Sequence, residues 1–282
     1  MTTSSGRRPA IVELALAAHP LPCVAVTALV SALAISAGLH ARTALLAAAV
    51  LVGQLSVGWS NDAIDAPLDV AAGRRDKPIA TGAVSRRAVA LAAAAALAAD
   101  VPLSLAIGWR PGLWHLAAVA LAWSYNLGLK RTVASPLPYA AAFGLVPVVV
   151  AAMLPGAPAP VDVLVIAGAC CGIAAHFANT VGDAAEDELT GVRGLPQRIG
   201  PAASTVVAGA FVALASLHVL RAAGASVLTV VAVVIDVAIA LALPVVIRSA
   251  RGRQPAFRGV ILAVAILVAA FVISGGSHLT SS

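Results

Sequence analysis

The stretch Asn61-Asp62-Ala63-Ile64-Asp65-Ala66-Pro67-Leu68-Asp69 places three carboxylates at the end of a long apolar run. A second acidic stretch, Asp183-Ala184-Ala185-Glu186-Asp187-Glu188, follows another apolar run later in the chain. Together with Asp76, these two stretches contain eight of the twelve acidic residues. A carboxylate at the centre of a bilayer costs about 2.5–3.5 kcal/mol, so this concentration of acids indicates binding sites. We expect two divalent-metal sites that hold an anionic ligand at a membrane surface.

The composition is that of a membrane protein. Of 282 residues, 61% are hydrophobic and 11% are charged, and the mean hydropathy is +0.98. Since a helix needs about 20 apolar residues to cross the hydrocarbon core, we predict a span at each run of that kind. These runs lie at about 20–38, 43–60, 87–107, 113–129, 138–154, 161–181, 201–220, 225–247 and 257–275. The sequence therefore predicts an all-α membrane protein in which about nine transmembrane helices surround a central cavity. We expect a single domain over residues 1–282, with residues 1–19 as an N-terminal segment.

The distribution of basic residues orients these spans. With nine crossings, one side of the membrane holds the N-terminus and the segments at 61–86, 130–137, 182–200 and 248–256. Fifteen of the eighteen Lys and Arg residues lie on that side, against Arg42, Arg110 and Arg221 on the other. The positive-inside rule then predicts a multi-pass protein of the cell membrane whose N-terminus, acidic stretches and cavity opening face the cytoplasm. Short basic loops between spans favour contact with anionic membrane lipid over nucleic acid.

The two acidic stretches recur at an interval of four helices. The first follows the second predicted span and the other follows the sixth, on the same side of the membrane. This spacing predicts two four-helix halves plus one additional helix, with each half contributing a metal site to a shared cavity.

The spacing of the aspartates fits metal binding on one face of a helix. Residues three, four and seven positions apart lie on the same side of a helix, and like charges this close repel unless a cation joins them. Magnesium binds one or two carboxylates, several waters and the oxygens of a substrate phosphate. The candidate metal ligands are Asp62, Asp65, Asp69, Asp183 and Asp187. Pro67 lacks an N–H, and we expect it to kink or end the helix near residues 63–66.

Basic residues follow both acidic stretches. Those next to the acids are Arg74, Arg75, Lys77, Arg193 and Arg198. In addition, Lys130-Arg131 ends the fourth span just after Tyr125. Taken singly, each of these residues also fits a topology anchor. Taken together, carboxylates, magnesium and basic side chains around one cavity are the groups that bind a diphosphate and stabilise it as a leaving group.

At these residues the sequence resembles the UbiA superfamily of intramembrane prenyltransferases. The first acidic stretch and the following Asp76-Lys77-Pro78-Ile79-x-x-Gly82 resemble the family's first aspartate-rich motif. Asp183-x-x-x-Asp187 and the following Gly191-Val192-Arg193-x-Leu195-Pro196-x-Arg198-x-Gly200 resemble its second motif. Tyr125 with Lys130-Arg131 is similar to the stretch at the end of the family's fourth helix. Where many relatives begin the first helix with Arg-Pro, this chain has His19-Pro20.

The resemblance implies transfer of an isoprenoid chain from a polyprenyl diphosphate to a small lipophilic or aromatic acceptor, with two Mg2+ ions bound between the motifs. It implies that the five aspartates named above bind these ions. The diphosphate would be bound by Asn61, Arg74, Lys77, Lys130, Arg131 and Arg193. Lys130 would also act in catalysis, together with Tyr125 facing the carbocation. An aromatic or quinone-precursor acceptor is favoured over a sugar phosphate, a lipid or a carotenoid.

Two other functions fit the same scaffold. In a membrane-embedded terpene cyclase, the carbocation would close on its own chain and no acceptor would enter. A cation-coupled transporter would use the acids as ion sites, although such sites favour the bilayer midplane.

Four further polar residues lie within the predicted spans. We expect His115 to be interfacial, and His176 and Asn179 either to line the cavity or to be structural. Asp236 has no obvious partner, and it is either an intramembrane functional acid or a protonated structural residue.

Overall fold

We describe a computed structural model of the chain, which covers residues 8–182, 191–249, 255–274 and 279–280. In these ranges it contains ten α-helices. Their bounds are α1 Ala10–Ala17, α2 Pro20–Ser36, α3 Arg42–Ala71, α4 Arg86–Ala106, α5 Trp109–Leu127, α6 Pro136–Ala152, α7 Asp162–Gly182, α8 Leu195–Ala223, α9 Val227–Ser249 and α10 Pro255–Ile273. A short 3-10 turn, Leu129–Arg131, follows α5, and α8 is kinked at Gly200.

Each of the predicted apolar runs overlaps one of the helices α2–α10, so the all-α class is confirmed. Within the ranges given above, six helices are long and apolar enough to cross a membrane: α3, α4, α7, α8, α9 and α10. α1 and α2 meet at an angle of 62° and would form a seventh span if counted together, while α6 is a shorter apolar helix. The number of nine crossings, the two halves and the single domain over the whole chain remain predictions.

The helices form a closed ring. Consecutive helices from α2 to α10 contact each other, and α10 returns to contact α2. Small residues allow close approach within this ring: a Cβ added at Gly172 of α7 would lie 2.3 Å from the carbonyl oxygen of Tyr139 in α6. Contacts through small residues are typical of helices that associate within a bilayer.

The N-terminal segment contains a short helix, α1, that the sequence did not predict. It ends at a sharp bend, where His19 adopts a left-handed conformation with φ 57°. Trp59 of α3 donates a hydrogen bond from Nε1 to the carbonyl oxygen of Leu14 (2.8 Å). The carbonyl of Ala18 packs so closely on α3 that a Cβ at Gly58 would lie 2.1 Å from its oxygen. These contacts fix the bend against the part of α3 that precedes the first acidic stretch.

α3 continues past Pro67 to Ala71, so the helix does not end near residues 63–66; a kink, the other effect expected of Pro67, stays a prediction. A proline at position 67 leaves the carbonyl of Ala63 without its helical N–H partner. Arg86 supplies the missing donor, because its Nε atom lies 2.8 Å from the Ala63 oxygen. All three aspartates of the first acidic stretch therefore belong to one helix.

Candidate active site

A cavity of about 720 Å³ lies inside the ring of helices. Its walls come mainly from α2, α3, α5, α6, α7 and α10. The predicted site residues that line it are Asn61, Asp62, Asp65, Asp69, Arg74, Lys77, Tyr125 and Lys130. Sites for small ligands have volumes of about 300–1,000 Å³, so the size of this cavity is that of a ligand site.

Two other segments reach the carboxylate of Asp62 in α3, which is 2% exposed. Its Oδ1 atom lies 2.8 Å from Nε2 of His19, at the bend before α2. The same oxygen accepts a hydrogen bond from Nζ of Lys77 in the loop after α3 (2.5 Å). The other oxygen, Oδ2, is buried and has no hydrogen-bond partner in the described ranges. An unpaired buried carboxylate oxygen is unfavourable, and a bound cation would satisfy it.

Asp65 is paired with Lys130, which comes from the turn after α5. The Lys130 ammonium bonds to both carboxylate oxygens of Asp65. Asn61 donates to Oδ2 of Asp65 (3.1 Å) and to the amide oxygen of Asn126 (3.3 Å). Asn126 in turn donates to Ser60 Oγ (2.8 Å). This network joins the acidic end of α3 to the end of α5.

The turn that carries Lys130 also contacts the chain that follows the second acidic stretch. A Cβ added at Gly194 would lie 2.5 Å from the carbonyl oxygen of Lys130. The backbone N–H of Leu195 donates to Ser135 Oγ (3.2 Å), which lies just beyond the same turn. The segment before α8 is therefore held beside Lys130.

Arg74 adds a further cation to the cavity wall. Its guanidinium forms two bonds with Asp76, from Nε to Oδ1 (2.9 Å) and from Nη2 to Oδ2 (2.8 Å). The Arg74 side chain is 9% exposed, and both residues line the cavity, as does Asp69. The loop after α3 thus contributes both Arg74 and Lys77.

Two of the predicted diphosphate ligands lie elsewhere. Arg131 and Arg193 are exposed, and neither lines the cavity in the part of the chain that the structure describes. Asp183 and Asp187, predicted to form the second metal site, lie outside the described residues. The roles assigned to these four residues stay predictions.

Aromatic rings form part of the cavity wall. Tyr125 and Tyr139 meet edge to face with their centroids 5.1 Å apart, and both line the cavity. His176 packs on both rings, with centroid distances of 5.5 and 5.0 Å. Its Nε2 atom lies 3.0 Å from Ser135 Oγ, so His176 supports the wall from behind. Asn179, by contrast, lines the cavity.

Residues at the cavity that were not assigned a role there from the sequence include His19, Asn126, Tyr139, His115 and Gln54. A signal existed for His19, because it is a polar residue directly before the first apolar run. Tyr139 has no local signal, since its contact with Tyr125 arises only when α6 packs on α5. His115 is 7% exposed and lines the cavity, whereas the interfacial depth expected for it stays a prediction.

The described residues contain no group of three or more His, Cys, Asp or Glu side chains placed to hold a metal ion. The donors on α3 nevertheless suit Mg2+. Asn61, Asp62, Asp65 and Asp69 offer amide and carboxylate oxygens, the hard ligands that this ion prefers. The unpartnered Oδ2 of Asp62 fits the same ion. With Lys77 and Lys130 beside them, these groups can bind a metal ion and an anion at one end of the cavity.

Fold and site together define an all-α integral membrane protein whose central cavity carries paired acidic and basic side chains. A model of the UbiA prenyltransferase family matches residues 22–263, and the chain belongs to this family. It is therefore a multi-pass membrane protein of the prenyltransferase class of enzymes. A search of curated proteins found no match.

Solved structures share the fold. A UbiA homolog from Archaeoglobus fulgidus bound to GPP and Mg2+ is similar, with a TM-score of 0.68 at 17% identity, over 95% of this chain and 99% of that one. A UbiA homolog from Aeropyrum pernix K1 has a TM-score of 0.67 at 20% identity, over 88% and 97% of the two chains. A structure of digeranylgeranylglyceryl phosphate synthase has a TM-score of 0.63 at 15% identity, over 95% and 99%. The Archaeoglobus fulgidus homolog was also solved with DMAPP and Mg2+.

Proposed function

We propose that this protein transfers an isoprenoid chain from a polyprenyl diphosphate to an aromatic or quinone-precursor acceptor, in a Mg2+-dependent reaction that releases diphosphate. One observation carries the proposal. Asp62 pairs with Lys77, and Asp65 pairs with Lys130, at one end of a cavity whose remaining walls are mainly apolar. The GPP, DMAPP and Mg2+ in homologous structures support it, because they are ligands of the kind that such an end would bind.

The carboxylates are the groups that would hold magnesium. Asp62, Asp65 and Asp69 on α3 would bind one ion, with Asn61 assisting, and the second acidic stretch would bind another through Asp183 and Asp187. When bound, the ions would supply positive charge to the diphosphate as it leaves.

Basic side chains of the protein stabilise the leaving group directly. When the allylic C–O bond breaks, both bonding electrons leave with the diphosphate. Lys77 and Lys130 already lie at the carboxylates, so their ammonium groups neutralise the developing charge without moving far. Arg74 contributes a third cation from the same loop as Lys77. Charged groups that are positioned before the reaction stabilise it most effectively.

The aromatic wall serves the other half of the reaction. The rings of Tyr125 and Tyr139 stabilise an allylic cation by cation–π attraction, and they offer an aromatic acceptor a surface for stacking. Apolar side chains such as Val57, Val146 and Val149 line the cavity and keep water from the cation. The acceptor then bonds to the first carbon of the chain and loses a proton.

The membrane arrangement is part of the proposal. The chain would cross the plasma membrane nine times, with its N-terminus, the acidic stretches and the cavity opening on the cytoplasmic side. The support is the distribution of Lys and Arg, of which all but three lie on that side.

Turnover by the purified protein in lipid nanodiscs tests the reaction. The assay contains Mg2+, geranylgeranyl diphosphate and a set of phenolic acceptors, with a parallel arm that lacks any acceptor. We expect diphosphate release with a prenylated phenol, both abolished by EDTA and by D62N. Release that yields only a cyclised hydrocarbon would instead identify a terpene cyclase. Cation transport into liposomes without diphosphate release would identify a transporter.

A further inference from the structure

The cavity continues far beyond its acidic end. Its lining follows α3 from Asp62 to Val50 and α5 from Asn126 to His115. At about 1.5 Å per residue, Gln54 lies roughly 12 Å along α3 from Asp62. Polar side chains return at this inner end, where Gln54 and His115 both line the cavity.

A buried polar network holds His115 in place. Its Nδ1 atom lies 2.8 Å from Ser104 Oγ, and Ser104 donates a hydrogen bond to Oδ1 of Asp100 (3.1 Å). Asp100 and Ser104 are both 0% exposed. The imidazole also packs on α3, where a Cβ added at Gly53 would lie 3.3 Å from its Cε1 atom. The ring is therefore fixed between α3, α4 and the start of α5.

The direction of these hydrogen bonds determines which nitrogen is left for a ligand. Ser104 has a single hydroxyl proton and donates it to Asp100. We therefore assign the ring proton of His115 to Nδ1, which then donates to Ser104. In the neutral ring, Nε2 is consequently a hydrogen-bond acceptor. It has no partner among the residues that the structure describes.

Gln54 is a second polar side chain at the cavity that lacks a hydrogen-bond partner within the described ranges. Its amide carries two N–H donors and one acceptor oxygen. The side chain lines the cavity, and it has no hydrogen-bond partner within the described ranges. α3 has the composition of a membrane span, and an amide in such a helix is unfavourable unless it is satisfied. Gln54 and His115 thus bring hydrogen-bond donors and acceptors to the wall of the same cavity.

The isoprenoid tail has a more favourable place to lie. A separate pocket of about 110 Å³ is lined by hydrophobic residues and shares Val26, Leu29 and Phe143 with the wall of the main cavity. A hydrocarbon tail is stabilised by burial there. At the inner end of the main cavity, the same tail would leave Gln54 and His115 without partners. That end suits a ligand that carries a hydrogen-bonding group.

We propose that Gln54 and His115 form a second polar subsite, which binds a hydroxyl group at the far end of an elongated acceptor. The hydroxyl donates to His115 Nε2 and accepts from the Gln54 amide. The reacting end of the acceptor lies beside Tyr125 and Tyr139, toward the acidic end of the cavity, which is roughly 12 Å from Gln54 along α3. The identity of the ligand as an acceptor rests on the proposed prenyl transfer, whereas the subsite itself rests on the geometry of α3, α4 and α5.

Binding of two matched phenols tests the subsite without turnover. One phenol carries a hydroxyl at the end of an alkyl chain that spans roughly 12 Å, and the other ends in a methyl group. Isothermal titration of the full chain in lipid nanodiscs, without donor, gives their relative affinities. For each protein we take the ratio of the Kd of the methyl phenol to the Kd of the hydroxyl phenol. This ratio should be about 3- to 10-fold larger in the wild type than in Q54L or H115F. Comparison with the variants cancels the different partitioning of the two phenols into lipid.

H218F is the matched control. It replaces a histidine that bonds to its own helix, at Leu214, and does not line the cavity, so the hydroxyl preference should remain. A hydroxyl effect of the same size in the wild type and in the two variants overturns the subsite. Thermal unfolding shows whether each variant is folded. If either Q54L or H115F does not fold, the binding data for the other variant test the subsite.

Prenyl transfer to the two phenols is measured separately. Transfer that shows no hydroxyl preference overturns the subsite and leaves the proposed reaction standing. Selective binding without any transfer overturns the proposed reaction and leaves the subsite standing.

Discussion

Nε2 of His19 lies 2.8 Å from Oδ1 of Asp62, so the bend between α1 and α2 is tied directly to the first aspartate of α3. Lys77 reaches the same oxygen from the loop that follows α3. Three segments that are separate in sequence therefore meet at one buried carboxylate. Because protein groups occupy Oδ1, it is Oδ2 that remains to bind a metal ion.

Asp62→Asn keeps the size of this side chain and removes the charge that binds Lys77. We expect the rate of diphosphate release, measured at saturating Mg2+ and donor, to fall at least about 100-fold, because charge stabilisation is lost where the diphosphate leaves. Asp162→Asn changes an exposed carboxylate at the start of α7, and its rate should stay within about twofold of the wild type. A variant at position 62 that matches this control would exclude Asp62 from the site.

Lys130→Met keeps an unbranched side chain, one atom shorter, and removes the ammonium that bonds to Asp65. We expect the KM for the donor diphosphate to rise about tenfold or more, which corresponds to about 1.4 kcal/mol. Lys130→Arg should recover only part of the loss, since a planar guanidinium does not replace a compact ammonium. Arg87→Met removes an exposed cation near the start of α4 and should leave the donor KM unchanged. Equal KM values for Lys130→Met and Arg87→Met would contradict a role in diphosphate binding.

Gly58→Ala tests the packing of the bend on α3. The added Cβ would lie 2.1 Å from the Ala18 oxygen, so the bend must move away, at a cost of about 1–3 kcal/mol. Thermal stability in a fixed detergent, measured by size-exclusion chromatography after heating, should decrease. Gly144→Ala is the matched control, because its nearest neighbouring atom would be 3.4 Å away. This control should be neutral or slightly stabilising, since alanine favours helix by up to about 1 kcal/mol. Equal stabilities for the two variants would contradict close packing of the Ala18 carbonyl against Gly58.

The positions of the helices follow from local sequence, whereas the contacts of the site do not. Apolar runs of about 20 residues are sufficient to locate α2–α10, because insertion into lipid depends on composition along the chain. The bond between His19 and Asp62 joins residues that are 43 positions apart. It requires the bend of 62° and the close approach of Ala18 to Gly58, and neither feature has a periodic signal in the sequence.

Pro67 shows how tertiary contacts can override a local rule. Proline removes a helical hydrogen bond, and on that basis alone α3 would be expected to kink or to end before it. Arg86, which lies 23 positions from Ala63, donates to the carbonyl that would otherwise be unpaired. The aspartate spacing of three and four residues predicts one helical face, and the continuous α3 agrees with it. The contact that allows the helix to continue comes from the start of α4.

Magnesium and inorganic diphosphate together should stabilise the fold. A ligand present at about 100 times its Kd raises the free energy of unfolding by about 2.7 kcal/mol, which thermal unfolding detects as an increase in Tm. We expect this increase to require both components and to disappear with EDTA or in Asp62→Asn. Inorganic sulfate at equal ionic strength is the control for general anion effects. An undiminished increase in the presence of EDTA would contradict a metal site at the acidic end.

Labelling of single cysteines tests the orientation in the membrane. The native cysteines Cys23, Cys170 and Cys171 are free and buried, so a membrane-impermeant maleimide should label them little. α4 has 21 residues and is therefore about 31 Å long, close to the thickness of the hydrocarbon core. Exposed positions near its two ends, Arg87 at the start of α4 and Arg110 just beyond its end, should consequently lie at opposite faces of the membrane.

In intact cells that express the chain, Arg110→Cys should react with the reagent, while Arg87→Cys should react only after permeabilisation. This difference is the expected result because the predicted topology puts all but three of the Lys and Arg residues on the side of Arg87. The reverse pattern would place the acidic end of the cavity outside the cytoplasm. Reaction of both variants in intact cells would show that α4 does not cross the membrane, and with it the nine-helix topology would be wrong.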